Sequence, residues 1–274
     1  MPKREPWQVA GNAAEVYQRE LVPAVFGPWG PRIVERAALR PGLRVLDVAC
    51  GTGLVARLAA EAVGVEGRVV GLDLNPAMLA AASALPAAEG AAIEWVEGDA
   101  QALPFARASF DVVCCQFGLQ FFPDRQRAVR EMSRVLVPGG RAVVIVWRDI
   151  DRAPGFAVLA AALGRTIGAD AETLMRAPFA LSDAGGLSRL LETAGLCDCA
   201  IHAETGDVRF APPAMFVRSY IGGSPLAGIV AAAPKQAYEE LVSEVEHGLA
   251  SYIQHDSLCF PIEANLAVCR ADRS

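Results

Sequence analysis

Three histidines in 274 residues, no clustered run of lysine or arginine, and no apolar stretch of bilayer length set the first limits on this chain. With so few imidazoles, histidine-based metal or acid–base chemistry has little to draw on. The formal net charge is −6, and no basic stripe occurs, which argues against a duplex-binding surface because phosphate neutralisation needs clustered cations. Apolar runs such as 142–147 and 226–233 fall far short of the roughly 20 residues of a membrane span, and the first residues lead into no signal-peptide core. The expectation is a soluble, cytoplasmic protein with no membrane span and no nucleic-acid partner. The seven cysteines show no zinc-site spacing and, being odd in number, read as reduced thiols used in packing, with no metal bound.

What is present begins with material for a core, 53% hydrophobic residues in a length that fits one large domain. The most informative stretch is Val45-Leu46-Asp47-Val48-Ala49-Cys50-Gly51-Thr52-Gly53, an apolar strand that turns into a helix through one acid and two glycines. Such a turn presents backbone N–H groups to a nucleotide-like ligand, with glycine where a β-carbon would collide. Gly51-x-Gly53-x-x-Ala56 satisfies a dinucleotide fingerprint, and Asp73 stands about twenty residues on, where an acid accepts from ribose hydroxyls. By itself that match admits a nicotinamide-dependent dehydrogenase. Asn75 and Pro76 then read as the cap and first turn of a helix.

Further strands are expected at 69–73, 93–97, 109–113 and 142–147, the last after a Val135-to-Arg141 turn containing Pro138, Gly139 and Gly140. Helices are expected at 13–22 and 31–39, separated by a stiff apolar loop at 26–31, and again at 154–168 and 182–194. A sixth strand follows at 197–202 and a last one at 258–270. Between them, Tyr238, Leu241, Val242, Val245, Leu249, Tyr252 and Ile253 fall at helical spacing, with Glu239, Glu240, Glu244 and Glu246 on the other face. The acidic polar face argues against a membrane-surface role.

These motifs, taken in order over about residues 40–150, resemble class I S-adenosylmethionine-dependent methyltransferases, most closely the ubiquinone/menaquinone-type or "type 11" small-molecule enzymes. The resemblance implies an α/β, doubly wound, Rossmann-like seven-stranded sheet with a helical lid inserted before the last strand. It divides the chain into an N-terminal helical cap over the cofactor (1–40), a cofactor-binding core (41–209), a helical lid that chooses the substrate (210–256) and a final core strand (257–274). It implies S-adenosylmethionine as cofactor, with Asp47 serving its methionine end directly or through the loop, Ala49, Gly51 and Gly53 forming the turn, and Asp73 taking the ribose. Leu74, Met78, Gln101 and Gln116 are further cofactor candidates, and in the Gly98-Asp99-Ala100 segment Asp99 accepts from the adenine amino group while the Ala100 backbone meets the ring. The bland alternative for Asp47 is that it orders the glycine turn.

The sulfonium makes the methyl electrophilic, so alignment in a dry site suffices unless the nucleophile must lose a proton. Where many relatives carry a histidine pair after the fourth strand, this chain has Gln116-Phe117-Gly118-Leu119-Gln120. Gln120 is therefore the candidate for orienting the acceptor, and His255, beside Asp256, the best candidate for a base. Tyr17, Phe117, Gln120, Arg218 and Tyr220 are the candidate acceptor contacts. The expected reaction is methyl transfer to an oxygen or activated ring carbon of a small, largely apolar molecule, in a monomer or a homodimer. Three rivals stay open: the dehydrogenase, disfavoured by Asp47 and the Asp99 loop; a cyclase or decarboxylase of the same fold; and a non-catalytic cofactor-binding regulator. Arsenite methyltransferases share the fold and use thiolates, which keeps Cys50, Cys114 and Cys115 in view as reactive groups.

Overall fold

Buried strands that run parallel read as near-continuous apolar segments, as do β1 (Arg44–Val48), β2 (Arg68–Asp73) and β4 (Phe110–Gln116); with the half-exposed edge strand β3 (Ile93–Glu97) they pair in parallel, β3 to β2, β2 to β1 and β1 to β4. In the computed structural model, which describes residues 13–273, β4 pairs in parallel with β5 (Leu136–Trp147). Two long strands, β6 (Leu196–Phe210) and β8 (Ser257–Ala271), and the two-residue β7 (Ile253–Gln254) complete the sheet. The order is β3-β2-β1-β4-β5-β8-β6, with β7 pairing β8, and β8 runs antiparallel to β5. The doubly wound α/β architecture expected from sequence is the one observed. Because the strand order reverses between β1 and β4, the crevice at the C-terminal ends of these two strands is where such sheets bind ligands.

The chain divides into two compact units. One comprises, of the described residues, 29–148, 181–204 and 264–273 and contains the parallel strands. Its core is built from Leu46, Val48, Val70, Leu72, Phe110, Val113 and Met132, with Leu187 and Leu191 of the helix Ala184–Thr193, which Asp183 caps through the Gly185 and Gly186 amides. The other comprises, of the described residues, 13–28, 149–180 and 205–263. In it Phe156 touches the rings of Phe179, Phe216, Tyr220 and Phe260, and a β-carbon at Gly155 would meet the Phe260 ring at 2.2 Å. The amphipathic helix is there as Lys235–Gly248, shorter than its periodicity suggested, with Leu241 and Val245 buried and Glu244 paired to Arg165 at 2.8 Å. This helical unit draws on three stretches of chain, not on the single insertion 210–256.

Three local expectations are corrected. Residues 26–31 are no loop: helical geometry runs through Ala13–Val16, a wide turn Tyr17–Phe26, Gly27–Trp29 and Gly30–Ala37. Pro23 has no amide to donate, and the wider turn accommodates it, with the Gly27 N–H donating to the Val22 carbonyl. Second, β5 begins at Leu136, so the Pro138-Gly139-Gly140 turn is absorbed as an irregularity where pairing jumps from Phe110↔Leu136 to Val112↔Arg141. Third, the cysteines are not all free thiols. Cys199 on β6 and Cys269 on β8 lie with Cα atoms 4.2 Å apart and form a disulfide, because the sheet order makes those two strands neighbours. Residues 1–12 of the expected cap and Ser274 of the last segment lie outside the described residues.

One packing feature positions the glycine turn. The indole of Trp95 on β3 fills the space that side chains at Gly53 and Gly71 would occupy, with a β-carbon 2.2 Å from the ring at Gly53 and 2.5 Å at Gly71. Gly71→Ala should therefore cost roughly 1–3 kcal/mol of stability by overpacking. In the double variant with Trp95→Ala the two losses should sum to less than their separate values, since the ring that clashes is gone. Urea unfolding of the two single variants and the double variant measures this; strict additivity refutes the wedge.

Candidate functional site

Four consecutive turns at the C-terminal ends of β1 to β4 carry the residues singled out from sequence. After β1, Ala49, Gly51 and Gly53 all have positive φ, 56°, 54° and 84°, so the backbone passes through the left-handed region three times within five residues. The Cys50 N–H donates to the Leu72 carbonyl at 3.0 Å and the Gly51 N–H to Asp73 Oδ2 at 2.8 Å. The other oxygen of Asp73 accepts from the Asn75 N–H at 2.8 Å. One carboxylate thus ties the turn after β1 to the turn after β2. Burial raises its pKa, against the lowering effect of the Asn75 and Gly51 amides.

Asp47 is 1% exposed. Its Oδ2 accepts from the Ala56 N–H at 3.0 Å, at the start of the helix Leu54–Val63, so the turn-ordering role is real. Its Oδ1 is buried with no hydrogen-bond partner among the described residues, as is the Thr52 hydroxyl. Burial pushes the Asp47 carboxyl up to about 8, the Ala56 amide opposes this and the Asp73 charge adds to it. A buried acceptor left open at the switch point suits a donor or a cation on a ligand.

Beyond β2, Asn75 caps the helix Pro76–Ala84 by accepting from the Ala77 N–H at 2.9 Å. Leu74, just before that helix, is one of two large apolar side chains that stay exposed among the described residues, and Met78 lies half-buried within the helix. In the loop after β3, Asp99 accepts from the Gln101 backbone at 2.7 Å and from its side-chain amide at 3.1 Å, while Ala100 is buried. This loop is fastened by residues that the sequence reading passed over. From the helix Arg125–Val135, Glu131 accepts from the Leu103 N–H at 2.9 Å, Arg134 donates to the Phe105 and Leu103 carbonyls at 2.8 and 3.0 Å, and Arg127 donates to the Gln101 carbonyl at 2.8 Å. Glu131 and Arg134 pair at 2.6 Å, and the guanidinium holds the Glu131 carboxyl below its ordinary range. Their i,i+3 spacing on a helix was the available signal.

After β4, which Gln116 ends, Phe117 has φ 53° and stacks on Trp147 with centroids 3.6 Å apart. Trp29, fully buried, meets both rings edge-on at 5.8 and 5.5 Å. Gly118 packs so tightly against the turn after β1 that a β-carbon there would lie 2.5 Å from that of Ala49. Gln120 is 3% exposed, and neither atom of its side-chain amide has a hydrogen-bond partner among the described residues. The structure therefore gathers Asp47, Ala49, Gly51, Gly53, Asp73, Leu74, Met78, Asp99, Ala100, Gln101, Gln116, Phe117 and Gln120 in one unit, along one edge of its sheet.

The remaining candidates belong to the helical unit. Tyr17 stacks on Phe26 at 5.0 Å. Arg218 is exposed on the helix Met215–Gly222, and Tyr220 is buried against Phe156, where burial raises its hydroxyl pKa. His255 stands with Asp256 at the exposed tip of the β7–β8 hairpin, both at positive φ. Cys50, Cys114 and Cys115 are buried, and burial holds all three thiols above the ordinary range, Cys115 up to about 12, so none has thiolate character. Among the described residues no three His, Cys, Asp or Glu gather to hold a metal, and no helix is long and apolar enough to cross a membrane.

Residues 45–140 match the model of a methyltransferase domain family. The chain is 44% identical over 117 residues to a 2-phytyl-1,4-naphtoquinone methyltransferase of Thermosynechococcus vestitus, covering 43% of this chain and 52% of that protein. It is 33% identical over 192 residues to a ubiquinone/menaquinone biosynthesis C-methyltransferase of Hahella chejuensis, covering 66% of this chain and 77% of that one. Most of the curated relatives it matches are spanned for about half their length. The solved structure of YcgJ from Bacillus subtilis shares the fold, with a TM-score of 0.60 at 18% identity over 90% of this chain and all of that one.

The elevated pKa of Asp47 has a consequence for stability. Its carboxyl ionises near 3.8 in the unfolded chain and near 8 in the folded one. Between those values the folded state holds the extra proton, so the stabilising contribution is whole below about pH 4 and is lost as pH rises through 8. Asp47→Asn, which keeps an acceptor for the Ala56 amide, should flatten the fall in stability between pH 5 and 8 without abolishing it, since Asp73 shifts in the same sense. Chemical denaturation of both proteins at the two pH values provides the comparison; an unchanged slope would contradict the buried-acid assignment.

Proposed function

The chain belongs to the class I S-adenosylmethionine-dependent methyltransferases, whose cofactor is S-adenosylmethionine, and on that premise we propose that it transfers a methyl group to an oxygen or activated ring carbon of a small, largely apolar, quinone- or phenol-like molecule. The carrying observation is the pair of turns joined by Asp73 beside the open acceptor of Asp47, within the stretch that matches the methyltransferase domain. The residues fit the cofactor. Asp73 would take the ribose hydroxyls, Asp99 and the Ala100 backbone the adenine, Leu74 and Met78 its apolar faces, and Asp47 with the glycine turn the methionine end.

The bound cofactor supplies an electrophilic methyl on a sulfonium. What the chain supplies is a dry, rigid seat. Phe117, Trp147 and Trp29 exclude water by mutual packing, and the unpaired amide of Gln120 is the group assigned to orient an acceptor carbonyl or hydroxyl. Acceptor choice is assigned to the helical unit, with Tyr17, Arg218 and Tyr220 as its candidate contacts. The names of two relatives, a 2-phytyl-1,4-naphtoquinone methyltransferase and a ubiquinone/menaquinone biosynthesis C-methyltransferase, support a quinone-like ring as acceptor here. Incubation with S-adenosylmethionine and a panel of quinols and phenols, followed by release of S-adenosylhomocysteine, tests the reading; cofactor binding without turnover of any acceptor argues for other chemistry.

Asp73→Ala should weaken S-adenosylhomocysteine binding about ten- to a hundredfold, roughly 1.5–3 kcal/mol, read by calorimetry on a folded variant. Undiminished affinity would remove Asp73 from the cofactor site. For turnover, Gln120→Ala should lower kcat/KM for the acceptor by about a hundredfold, because a misplacement of about an ångström costs that much. His255→Ala, at its exposed tip, should cost less than about tenfold, against the hundred- to ten-thousandfold of a working base. A collapse in His255→Ala with normal cofactor binding and partial recovery at high pH would make His255 the base.

A further inference from the structure

Arg141 and Arg270 stand directly opposite each other in the antiparallel pairing of β5 and β8. Like charges in that position are destabilising, and both side chains are half-buried, where salt screens them less than on the open surface. Neither has an acidic partner among the described residues. Arg141 donates to the Arg36 carbonyl at 2.8 Å and Arg270 to the Gly139 carbonyl at 3.1 Å, which leaves most of their N–H donors open. Arg40 is a third guanidinium close enough for its charge to act on Arg141: burial first, then Arg270 and Arg40, lower the Arg141 pKa.

The three side chains line one cavity of about 610 Å³, together with Leu43, Asp111 and the Gly139-Gly140 turn. Asp111, the acid of that lining, is already engaged: it accepts from the Arg44 backbone at 2.9 Å and from its guanidinium at 3.0 and 2.9 Å, and that pairing holds its carboxyl below the ordinary range. A smaller hollow of about 420 Å³ shares Arg141 and Arg270 but adds Glu35 and Asp198, so the uncompensated positive charge lies in the larger one. A local rule broken this way, without a compensating partner among the described residues, marks the kind of place where ligands bind.

We propose that this cavity binds a small phosphorylated molecule through Arg40, Arg141 and Arg270. Three guanidinium forks match the several oxygens of a phosphate dianion better than the two of a carboxylate, and the anion would relieve the repulsion across β5 and β8. The site is separate from the cofactor edge. Asp111 begins β4 and Gln116 ends it, and five residues of strand set the two edges roughly 16 Å apart.

The test uses the full chain at constant ionic strength, with chloride as the reference salt and inorganic phosphate and glycerol 3-phosphate as probes, read by thermal shift and calorimetry. The expected result is a Tm that rises with probe concentration, glycerol 3-phosphate binding at least as tightly as phosphate. Arg40→Gln, at an exposed position, should weaken that binding at least tenfold and the Arg141→Gln, Arg270→Gln double variant should abolish it, while S-adenosylhomocysteine affinity stays within twofold in both. Equal probe binding in wild type and Arg40→Gln overturns the proposal, as does a shift no larger than that of chloride. Binding of inorganic phosphate alone overturns the organic phosphate as ligand.

Discussion

Two carboxylates at the ends of adjacent parallel strands impose the condition on which this architecture rests. Asp47 lies opposite Gly71 in the register of β1 and β2, and Asp73 follows two residues later. Asp47 is buried and Asp73 half-buried, burial raises the cost of charging both, and the charge of Asp73 adds to the cost at Asp47. Backbone amides are what make such a pair tolerable, and those amides come from the turns and the helix that the acids hold in place. The geometry of the turns and the protonation of the acids are therefore one problem with one solution. A chain that misplaced Gly51 or Ala56 would leave a buried carboxylate without its donor.

This coupling explains why so much of the cofactor edge was legible in the sequence. Strained turns demand glycine, caps demand asparagine or aspartate, and strands between two layers must be apolar, so Gly51, Gly53, Asn75 and 45–48 could each be read from local chemistry alone. The same holds for Asp183 at the head of its helix. What escaped is what depends on distant partners. Trp95 explains two glycines on other elements, yet nothing in 93–97 announces it. The disulfide joins residues 70 apart in sequence and follows from β8 lying beside β6, an order no cysteine spacing reveals. The prolines and aromatics of 26–31 were read as a loop, but the chain continues helical through them, with a wider turn that admits Pro23.

The loop that carries Asp99 shows how precision is obtained away from regular structure. Its backbone carbonyls and amides are held by three charged side chains of a single helix, Arg127, Glu131 and Arg134. A loop left to itself would sample many conformations at about 1–2 kcal/mol per residue ordered. Here the ordering is completed before any ligand arrives, which spares binding that entropic loss. The Glu131–Arg134 pair is half-buried and fixes two loop carbonyls as well as its own partner, so its value is positional and exceeds that of an isolated surface ion pair.

The order of strands in the sheet differs from their order in the chain, and this has a consequence during translation. β5 is complete at Trp147, but the strand that covers its edge supplies its partners only from Ala264 onward. At about 5–20 residues per second, a nascent chain carries that apolar edge unpaired for on the order of ten seconds. The segment from Ala142 to Trp147 is buried throughout in the finished protein, so in the growing one it is an exposed template for intermolecular strand pairing.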